Sequence, residues 1–395
     1  MTALDERTND EPTATAMPWP QARRTAGLAA EPLGPLTVPL KRARGSALAE
    51  PLFAGLAVPA FDTAAMDGYA VAGPGPWAVT GRALAGHAAD VRDLASGQAV
   101  EIATGAQVPP GASAVLPYEL ALRTDGLVTG AIGPGRHIRR RGEECAEGTE
   151  VLPAGATVTP TVLGFAASLG CDALTVHRRP RVTIVVTGDE VVRNGTPLPG
   201  QVRDALGPLL PGLIDWAGGI ALPPTYVPDG RAPLAASLTR TAVDVIAVCG
   251  ASSRGPADHL RPVLRQLGAD ILVDGVACRP GHPQLLARLT PGGPLIVGLP
   301  GNPFAALAAA LTLLAPALGR LCGRTPPPPP RAVLVAPVPA HAADTRLIPV
   351  TLASGLATPV GHDRPGLLRG AAAATALAVL PPGGARDVEL LLLPG

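Results

Sequence analysis

Short apolar runs alternate with longer amphipathic segments between Arg181 and Cys322. The runs "RVTIVVTG", "DVIAVCG" and "LIVGLPG" have the length and composition of buried strands. The segments "GPLLPGLIDWAGG", despite its proline, and "ADHLRPVLRQLG" have helical length and spacing. Strands that alternate with helices predict a three-layer α/β domain with a mostly parallel sheet, here over residues 181–325.

Outside this segment the apolar runs are shorter and separated by turns. Residues 59–148 have the pattern of an antiparallel β domain, inserted between two flanks at 22–58 and 149–180 that carry strand and helix patterns and form an elongated linker domain. The proline run Pro326 to Pro330 predicts a stiff spacer. Beyond it, residues 331–395 have the pattern of a small all-β domain. We therefore expect a multidomain α/β plus β protein, with residues 1–21 as a disordered tail.

Composition narrows the class of protein. The 32 lysines and arginines nearly balance the 31 aspartates and glutamates, for a net charge of +1, so the overall charge does not favour nucleic acid or a membrane surface as a partner. The five cysteines have no CxxC spacing, which argues against a zinc ribbon or a disulfide framework. No uncharged apolar run reaches the roughly 20 residues that span a bilayer. We expect a soluble, cytoplasmic protein.

Each of the three predicted strands runs into a polar turn that contains glycine. These turns are "TGDE" at 187–190, "GASSRGPAD" at 250–258 and "GLPGNP" at 298–303. Because ligands of open α/β sheets bind beyond the carboxyl ends of the strands, three such turns at one edge predict a pocket.

Two of these turns carry side chains that suit a phosphate or a cation. Asp189 and Glu190 place two carboxylates at the sheet edge, where a cation or donor hydroxyls could use them, although Asp189 could equally cap the next turn. The second turn combines a permissive backbone and hydroxyls with an acid at a helix start, and its candidate residues are Gly250, Ser252, Ser253 and Asp258. An ordinary Gly/Ser turn remains the alternative, and the P-loop spacing is absent.

The other candidate residues lie in motifs that are weak when taken singly. In "CRPGHP", Arg279 and His282 flank a rigid corner that suits an oxyanion, or else form a plain β-turn. The inserted segment carries Asp67 in "AMDGYAV" and Thr104 in "EIATGAQVP". Without a further signal, Asp67-Gly68 indicates a hairpin turn, and "RRRGEEC", which contains Glu144, indicates a solvated charge run.

The order of the motifs is more informative than any one of them. The series "PAFDTAAMDGYAV", "ATGAQVP", "RRRGEE", "TGDEVV", "GASSRGPAD", "RPGHP" and "GLPGNP" resembles the molybdopterin molybdenumtransferase family, called MoeA in bacteria and represented in animals by the gephyrin E domain. The resemblance covers about residues 22 to 393. It implies four domains: the linker domain, the inserted β domain, the α/β domain as a molybdopterin-binding domain, and a C-terminal β barrel.

The resemblance also implies a function in molybdenum cofactor biosynthesis. Members of the family insert molybdate into adenylylated molybdopterin and release AMP, with Mg²⁺ as cofactor. The implied catalytic residues are Asp67, Thr104, Glu190 and Asp258, and the implied metal ligands are Asp189, Glu190 and Asp258. The implied substrate-binding residues are Glu144, Asp189, Gly250, Ser252, Ser253, Arg279, His282, Pro300, Gly301, Asn302 and Pro303. Since the inserted domain of one subunit faces the α/β domain of another in this family, a homodimer is implied, with other molybdenum cofactor biosynthesis proteins as further partners.

This chain departs from the family pattern at several of these positions. The family usually has Lys-Pro-Gly-Lys where the chain has Arg279 to His282, and Asp-Ser/Thr-Asn where it has Asp204 to Leu206. It usually has Gly-Gly at 250–251 and Gly-Glu-Asp at 142–144. Because a histidine side chain is mostly neutral at pH 7, it holds an anion less firmly than lysine does. These departures favour an alternative function, that of a pterin-binding paralogue that acts as carrier or scaffold. A molybdopterin adenylyltransferase, which shares the α/β domain, is a third alternative, disfavoured by "AMDGYAV" and the extra domains.

Overall fold

The computed structural model describes residues 16–87, 93–239, 242–252 and 258–394. The first part holds β1 (Met17–Pro18), α1 (Trp19–Leu28), β2 (Pro35–Pro39), α2 (Leu40–Ala43) and β3 (Leu52–Phe53). Trp19 is 3% exposed, and its Nε1 donates a hydrogen bond to Oγ1 of Thr312 at 2.9 Å.

The beginning of the chain corrects two predicted boundaries. Residues 17–21, predicted as the end of a disordered tail, lie in β1 and α1, whereas residues 1–15 lie outside the described residues. Helix α1 also buries Ala22 and Ala26 in the core of the α/β domain rather than in the linker domain. Local composition does not reveal this packing, because the apolar stripe of α1 lies against a helix that is almost 300 residues later in the chain.

The inserted segment forms a six-stranded sheet in the order β8-β5-β7-β6-β10-β9, with β11 paired to β4 beside it. Its strands are β4 (Thr63–Ala64), β5 (Gly68–Val71), β6 (Trp77–Ala83), β7 (Gln98–Ile102), β8 (Ala114–Pro117), β9 (Leu122–Thr124), β10 (Leu127–Thr129) and β11 (Ile138–Arg139). All pairs are antiparallel except β6 and β7, which run parallel. The prediction of an antiparallel domain is therefore wrong for that pair, because the chain re-enters the sheet at Gln98 in the direction in which it left at Ala83.

After the inserted segment the chain returns to its earlier strands. It forms β12 (Glu150–Leu152), α3 (Pro160–Ser168) and β13 (Ala173–His177). β12 pairs antiparallel with β3, and β13 with β2, so the two flanks of the inserted domain close on one another. Leu48, Val158, Leu169 and Val176 bury together in the core of this linker domain.

The α/β segment contains a seven-stranded sheet with helices on both faces. Its elements are β14 (Arg181–Thr187), β15 (Val191–Val192), β16 (Val202–Arg203), α4 (Leu206–Trp216), β17 (Ile220–Ala221), β18 (Thr225–Val227), α5 (Arg231–Thr239), β19 (Val245–Cys249), α6 (Leu260–Gln266), β20 (Asp270–Asp274), β21 (Val276–Arg279), β22 (Leu285–Arg288), β23 (Leu295–Leu299), α7 (Pro303–Ala309), a π-helical turn (Ala310–Leu314) and α8 (Ala315–Leu321). The order is β17-β14-β19-β23-β22-β20, with β18 also paired to β14. The strands from β17 to β23 are parallel, and β22 and β20 are antiparallel, so the predicted mostly parallel, three-layer domain is confirmed.

The two faces of this sheet bury separate apolar clusters. Helices α1, α4, α7 and α8 cover one face, and α5 and α6 cover the other. The continuous helix Pro303–Leu321 is long and apolar enough to cross a membrane by length and composition, but 78% of its apolar window is buried inside the protein. Burial of that kind is typical of the core helix of a globular domain.

The C-terminal segment closes into a small barrel. Its elements are β24 (Arg331–Leu334), β25 (Thr345–Ala353), β26 (Leu356–Pro359), α9 (Arg369–Ala373), β27 (Ala376–Leu380) and β28 (Asp387–Leu392). The strands follow the order β25-β26-β24-β28-β27, and β27 pairs back onto β25. Strand β21 pairs with β25, which sets Arg279 opposite Arg346 and joins the barrel to the α/β domain.

Candidate functional site

The three glycine-containing turns contact one another at the carboxyl edge of the parallel strands. Gly250 has φ +100°, and a Cβ atom added to it would lie 2.6 Å from the carbonyl oxygen of Thr187. A Cβ added to Gly301 would lie 3.5 Å from Cα of Gly250. The backbones after β14, β19 and β23 are thus packed too closely at Gly250 for a side chain, as the sequence predicts for one shared edge.

The turn after β19 is described only in part. Ser252 is fully buried, and its Oγ has no hydrogen-bond partner within the described part of the chain. Ser253 lies outside the described residues. Asp258 is half-buried just before α6.

Of the two carboxylates that follow β14, Asp189 is hydrogen-bonded to the backbone of Asp229. The backbone N–H of Asp229 donates to Oδ1 of Asp189 at 3.2 Å, and the N–H of Asp189 donates to Oδ2 of Asp229 at 3.4 Å. The carboxylate of Glu190 lies over Gly188, where an added Cβ would be 2.8 Å from Oε2.

The predicted metal ligands do not form a protein-only metal site. Among the described residues, no group of three or more His, Cys, Asp or Glu side chains could hold a metal ion. Asp189, Glu190 and Asp258 are therefore not assembled as a set of three carboxylates.

A cavity of about 450 Å³ lies where two of the predicted turns meet the barrel. Its lining comes from the "RPGHP" corner, from the "PGN" turn and from the barrel, and consists of Cys278, Arg279, Pro280, Gly281, His282, Pro283, Pro300, Gly301, Asn302, Ala305, Arg346, Asp363, Arg364 and Pro365. Arg279, His282 and the turn at Pro300 to Asn302 are thus brought together, as the resemblance implies.

Sequence reasoning missed the barrel residues of this cavity. Arg346, Asp363, Arg364 and Pro365 belong to no motif that we singled out. The pairing of β21 with β25 places Arg346, and hydrogen bonds from the start of α7 to the Pro365 carbonyl hold the loop that carries the other three. Both are long-range contacts that no local sequence pattern contains.

The start of α7 is held by the barrel. The N–H groups of Phe304 and Ala305 donate to the carbonyl oxygen of Pro365 at 2.9 and 3.1 Å. Pro303, which has no N–H, occupies the first helical position. An anion in the cavity would therefore meet the turn at Pro300 to Asn302 rather than the first amides of the helix.

The arginines of the cavity are paired with aspartates of the barrel. Nε of Arg279 donates to Oδ2 of Asp344 at 2.7 Å, and Nη2 of Arg346 donates to Oδ2 of Asp363. Nδ1 of His341 accepts a hydrogen bond from the N–H of Asp344 at 2.9 Å, which fixes the loop that carries this carboxylate. The anion-binding charge of the cavity is thus partly neutralised by the protein.

In the inserted domain, Asp67 and Thr104 contact one another. The N–H of Thr104 donates to Oδ1 of Asp67 at 2.6 Å, and this hydrogen bond lowers the pKa of the exposed Asp67 carboxyl below its ordinary value. Glu144 is exposed and donates its backbone N–H to the carbonyl of Val58 at 2.9 Å. None of these three lines the cavity, and neither do Gly250 and the carboxylates after β14, so one chain does not bring all the predicted site residues together.

Asp204 has a structural role next to the site. Its Oδ1 accepts hydrogen bonds from the N–H groups of Leu206 and Gly207 at 2.9 and 3.0 Å, at the start of α4. Its Oδ2 accepts one from the Tyr226 hydroxyl at 2.7 Å. Burial, together with this hydrogen bond, raises the pKa of Tyr226 to about 12.

Models of three protein regions match successive parts of the chain. The MoeA N-terminal region (domain I and II) matches residues 17–170, the probable molybdopterin binding domain matches 183–320, and the MoeA C-terminal region (domain IV) matches 331–390. This chain belongs to the MoeA family. The resemblance drawn from the order of the motifs is confirmed.

Individual members of the MoeA family are similar to this chain over most of their length. Molybdopterin molybdenumtransferase 2 of Mycobacterium tuberculosis (strain CDC 1551 / Oshkosh) is 38% identical over 74% of this chain and 76% of its own length. Molybdopterin molybdenumtransferase of Bacillus subtilis (strain 168) is 32% identical over 87% of this chain and 84% of its own. The crystal structure of the molybdopterin biosynthesis MoeA protein from Pyrococcus horikosii superposes with a TM-score of 0.74, at 27% identity, over 96% of this chain and all of that one. The predicted multidomain fold, with an α/β domain and a C-terminal barrel, is confirmed.

Proposed function

We propose that this protein is a molybdopterin molybdenumtransferase, which inserts molybdate into adenylylated molybdopterin with release of AMP. The observation that carries the proposal is the cavity that joins Arg279 and His282 to the turn at Pro300 to Asn302, in a chain similar along most of its length to proteins of that name. Molybdate is a dianion and the pterin substrate carries phosphates, so both need donors and positive charge.

The residues divide this work by their chemistry. Arg279 presents a guanidinium to an oxyanion, and its bond to Asp344 through Nε leaves both terminal nitrogens for that oxyanion. Pro300, Gly301, Asn302 and Pro303 form the wall toward the pterin phosphate. The remainder of the substrate would be bound by Gly250 and Ser252 at the sheet edge and by Ser253, the next residue in the sequence. Asp189, Glu190 and Asp258 would accept hydrogen bonds from the pterin, and a Mg²⁺ ion would be held mainly by the substrate's phosphates, because these carboxylates do not form a metal site by themselves.

The inserted domain supplies the second half of the site. Asp67, Thr104 and Glu144 lie outside the cavity of their own chain, and a homodimer would bring them to the cavity of a partner. Other molybdenum cofactor biosynthesis proteins would deliver the substrate or receive the product, in the cytoplasm.

The main alternative is a pterin-binding carrier or scaffold without turnover. It is favoured by the neutralising pairs Arg279–Asp344 and Arg346–Asp363, and by His282 where the family has lysine. An adenylyltransferase built on the α/β domain alone is disfavoured, because the N-terminal and C-terminal MoeA regions match residues 17–170 and 331–390, which lie outside that domain.

Complementation of a strain that lacks its own molybdenumtransferase tests the proposal. We expect the wild type and His282→Lys to restore molybdoenzyme activity, and Arg279→Gln to lose at least about 90% of it, since a charged hydrogen bond to the substrate contributes about 1.5–3 kcal/mol. Arg331→Gln, which removes an exposed arginine of the barrel, is the matched control and should behave as wild type. Rescue by His282→Lys alone would support a binding protein that has lost turnover. Failure of every variant, with adenylylated molybdopterin still bound in calorimetry, would leave a carrier or scaffold.

A further inference from the structure

Three arginines line the cavity, but the barrel neutralises two of them. Arg279 is paired with Asp344 and Arg346 with Asp363, whereas Arg364 has no ion-pair partner in the described part of the chain. The two pairs differ in which nitrogens of the guanidinium they occupy, and this difference determines what each arginine can still bind.

Asp344 leaves its arginine available. It bonds to Nε of Arg279, its own side chain is 11% exposed, and the side chain of Arg279 is 62% exposed. The two terminal nitrogens of Arg279 remain able to bind an oxyanion in bidentate fashion. Asp344 therefore anchors Arg279 without covering it.

Asp363 occupies its arginine. It accepts from Nη2 of Arg346, while the carbonyl of Pro339 accepts from Nη1, so each terminal nitrogen of Arg346 already has an acceptor. The side chain of Arg346 is only 22% exposed. Asp363 itself lines the cavity, so its negative charge also repels any anion that enters.

We propose that Asp363 is a specificity-determining residue of this cavity, because it competes with oxyanions for Arg346. This inference rests on the proposed function, in which the cavity receives an oxyanion. A small inorganic anion such as sulfate or phosphate gains little where a carboxylate already holds the arginine. A substrate that also contacts the turn at Pro300 to Asn302 gains enough from its other groups to bind, so Asp363 keeps abundant free anions out.

The test measures binding of sulfate and inorganic phosphate to the full chain by calorimetry at low ionic strength. We expect Asp363→Asn to bind each anion about tenfold more tightly than wild type, which corresponds to about 1.4 kcal/mol. Asp363→Glu keeps the carboxylate and should bind as weakly as wild type. In the background of Arg346→Gln, the change Asp363→Asn should give no gain, since the arginine for which the two acceptors compete is gone.

Asp387→Asn is the matched control. Asp387 also pairs with an arginine of the barrel, Arg331, so the substitution removes the same charge. The two side chains of this pair are 55% and 61% exposed, and Asp387 does not line the cavity. Its anion affinity should equal that of wild type.

Three results would overturn the inference. The first is an anion affinity of Asp363→Asn equal to that of wild type, at an unchanged melting temperature. The second is an equal increase in anion affinity in Asp387→Asn. The third is an increase in affinity on Asp363→Asn that persists in the Arg346→Gln background. None of them bears on rescue in the complementation test. Conversely, a gain in Asp363→Asn together with failed complementation would refute the proposed enzyme and leave the competition at Arg346 intact.

Discussion

At the scale of single residues, the hydrogen bonding of Asp67 shows how the fold sets the ionisation of an exposed carboxyl. Its Oδ1 accepts the N–H of Thr104, a residue from a different turn of the inserted domain, and the pKa of the carboxyl is lowered by that bond. Gly68 follows it because a Cβ there would lie 2.0 Å from the carbonyl oxygen of Leu116. The "DGY" motif thus requires glycine for packing and leaves an ionised aspartate at the surface.

Replacement of Asp67 separates a functional carboxylate from a turn residue. We expect Asp67→Ala to abolish molybdate insertion while the melting temperature stays that of wild type, because the carboxylate is exposed and only one hydrogen bond is lost. Glu119→Ala, at another exposed carboxylate of the same domain, is the control and should retain activity. Full activity of Asp67→Ala, assayed with purified adenylylated molybdopterin, would show that "DGY" is only a hairpin turn.

At the scale of elements, α4 shows why the helix forms where the sequence places it. Pro211 lies inside the helix, which costs a hydrogen bond, yet Leu206, Leu210, Leu213 and Ile214 bury one apolar stripe against the sheet. The side chain of Asp204 accepts the N–H groups of Leu206 and Gly207. The buried apolar stripe and the Asp204 cap together stabilise the helix and offset the hydrogen bond that Pro211 removes.

Removal of the cap should therefore destabilise the α/β domain. We expect Asp204→Ala to lower the free energy of unfolding by about 1–2 kcal/mol, because two backbone donors and the Tyr226 hydroxyl lose their acceptor. Urea unfolding followed by circular dichroism gives the measurement, with Asp387→Ala at an exposed pair as control. An unfolding midpoint equal to that of the control would mean that the cap contributes nothing.

At the scale of the whole molecule, the candidate site has two separate parts. Arg279 and His282 line the cavity between the α/β domain and the barrel, whereas Asp67 and Thr104 lie in the inserted domain and do not line it. A second copy of the chain would supply the missing part, and a two-fold dimer would then contain two equivalent composite sites.

The composite site predicts both a mass and a pattern of complementation. Light scattering should give about twice the chain mass of 39.7 kDa. Expressed alone, Asp67→Ala should be inactive and Arg279→Gln should retain at most about 10% of wild-type activity. Co-expression should restore about a quarter of wild-type activity, because about half of the randomly mixed dimers are heterodimers and each heterodimer has one intact site of its two. A monomer at micromolar concentration, or no recovery on co-expression of stable chains, would contradict a site shared between subunits.

The sequence by itself determined the family, the α/β domain and the residues of the glycine-rich turns. The periodicity of strands and helices is local, and the prolines and glycines of turn motifs such as "GLPGNP" restrict their own backbone. Both can therefore be predicted from the sequence. Only the tertiary structure decided that α1 packs on the α/β core, that β6 and β7 run parallel, and that Arg346 and Asp363 complete the cavity. These features depend on register and packing between residues far apart in the chain, where the free energy comes from burial and ion pairing in three dimensions rather than from any local pattern.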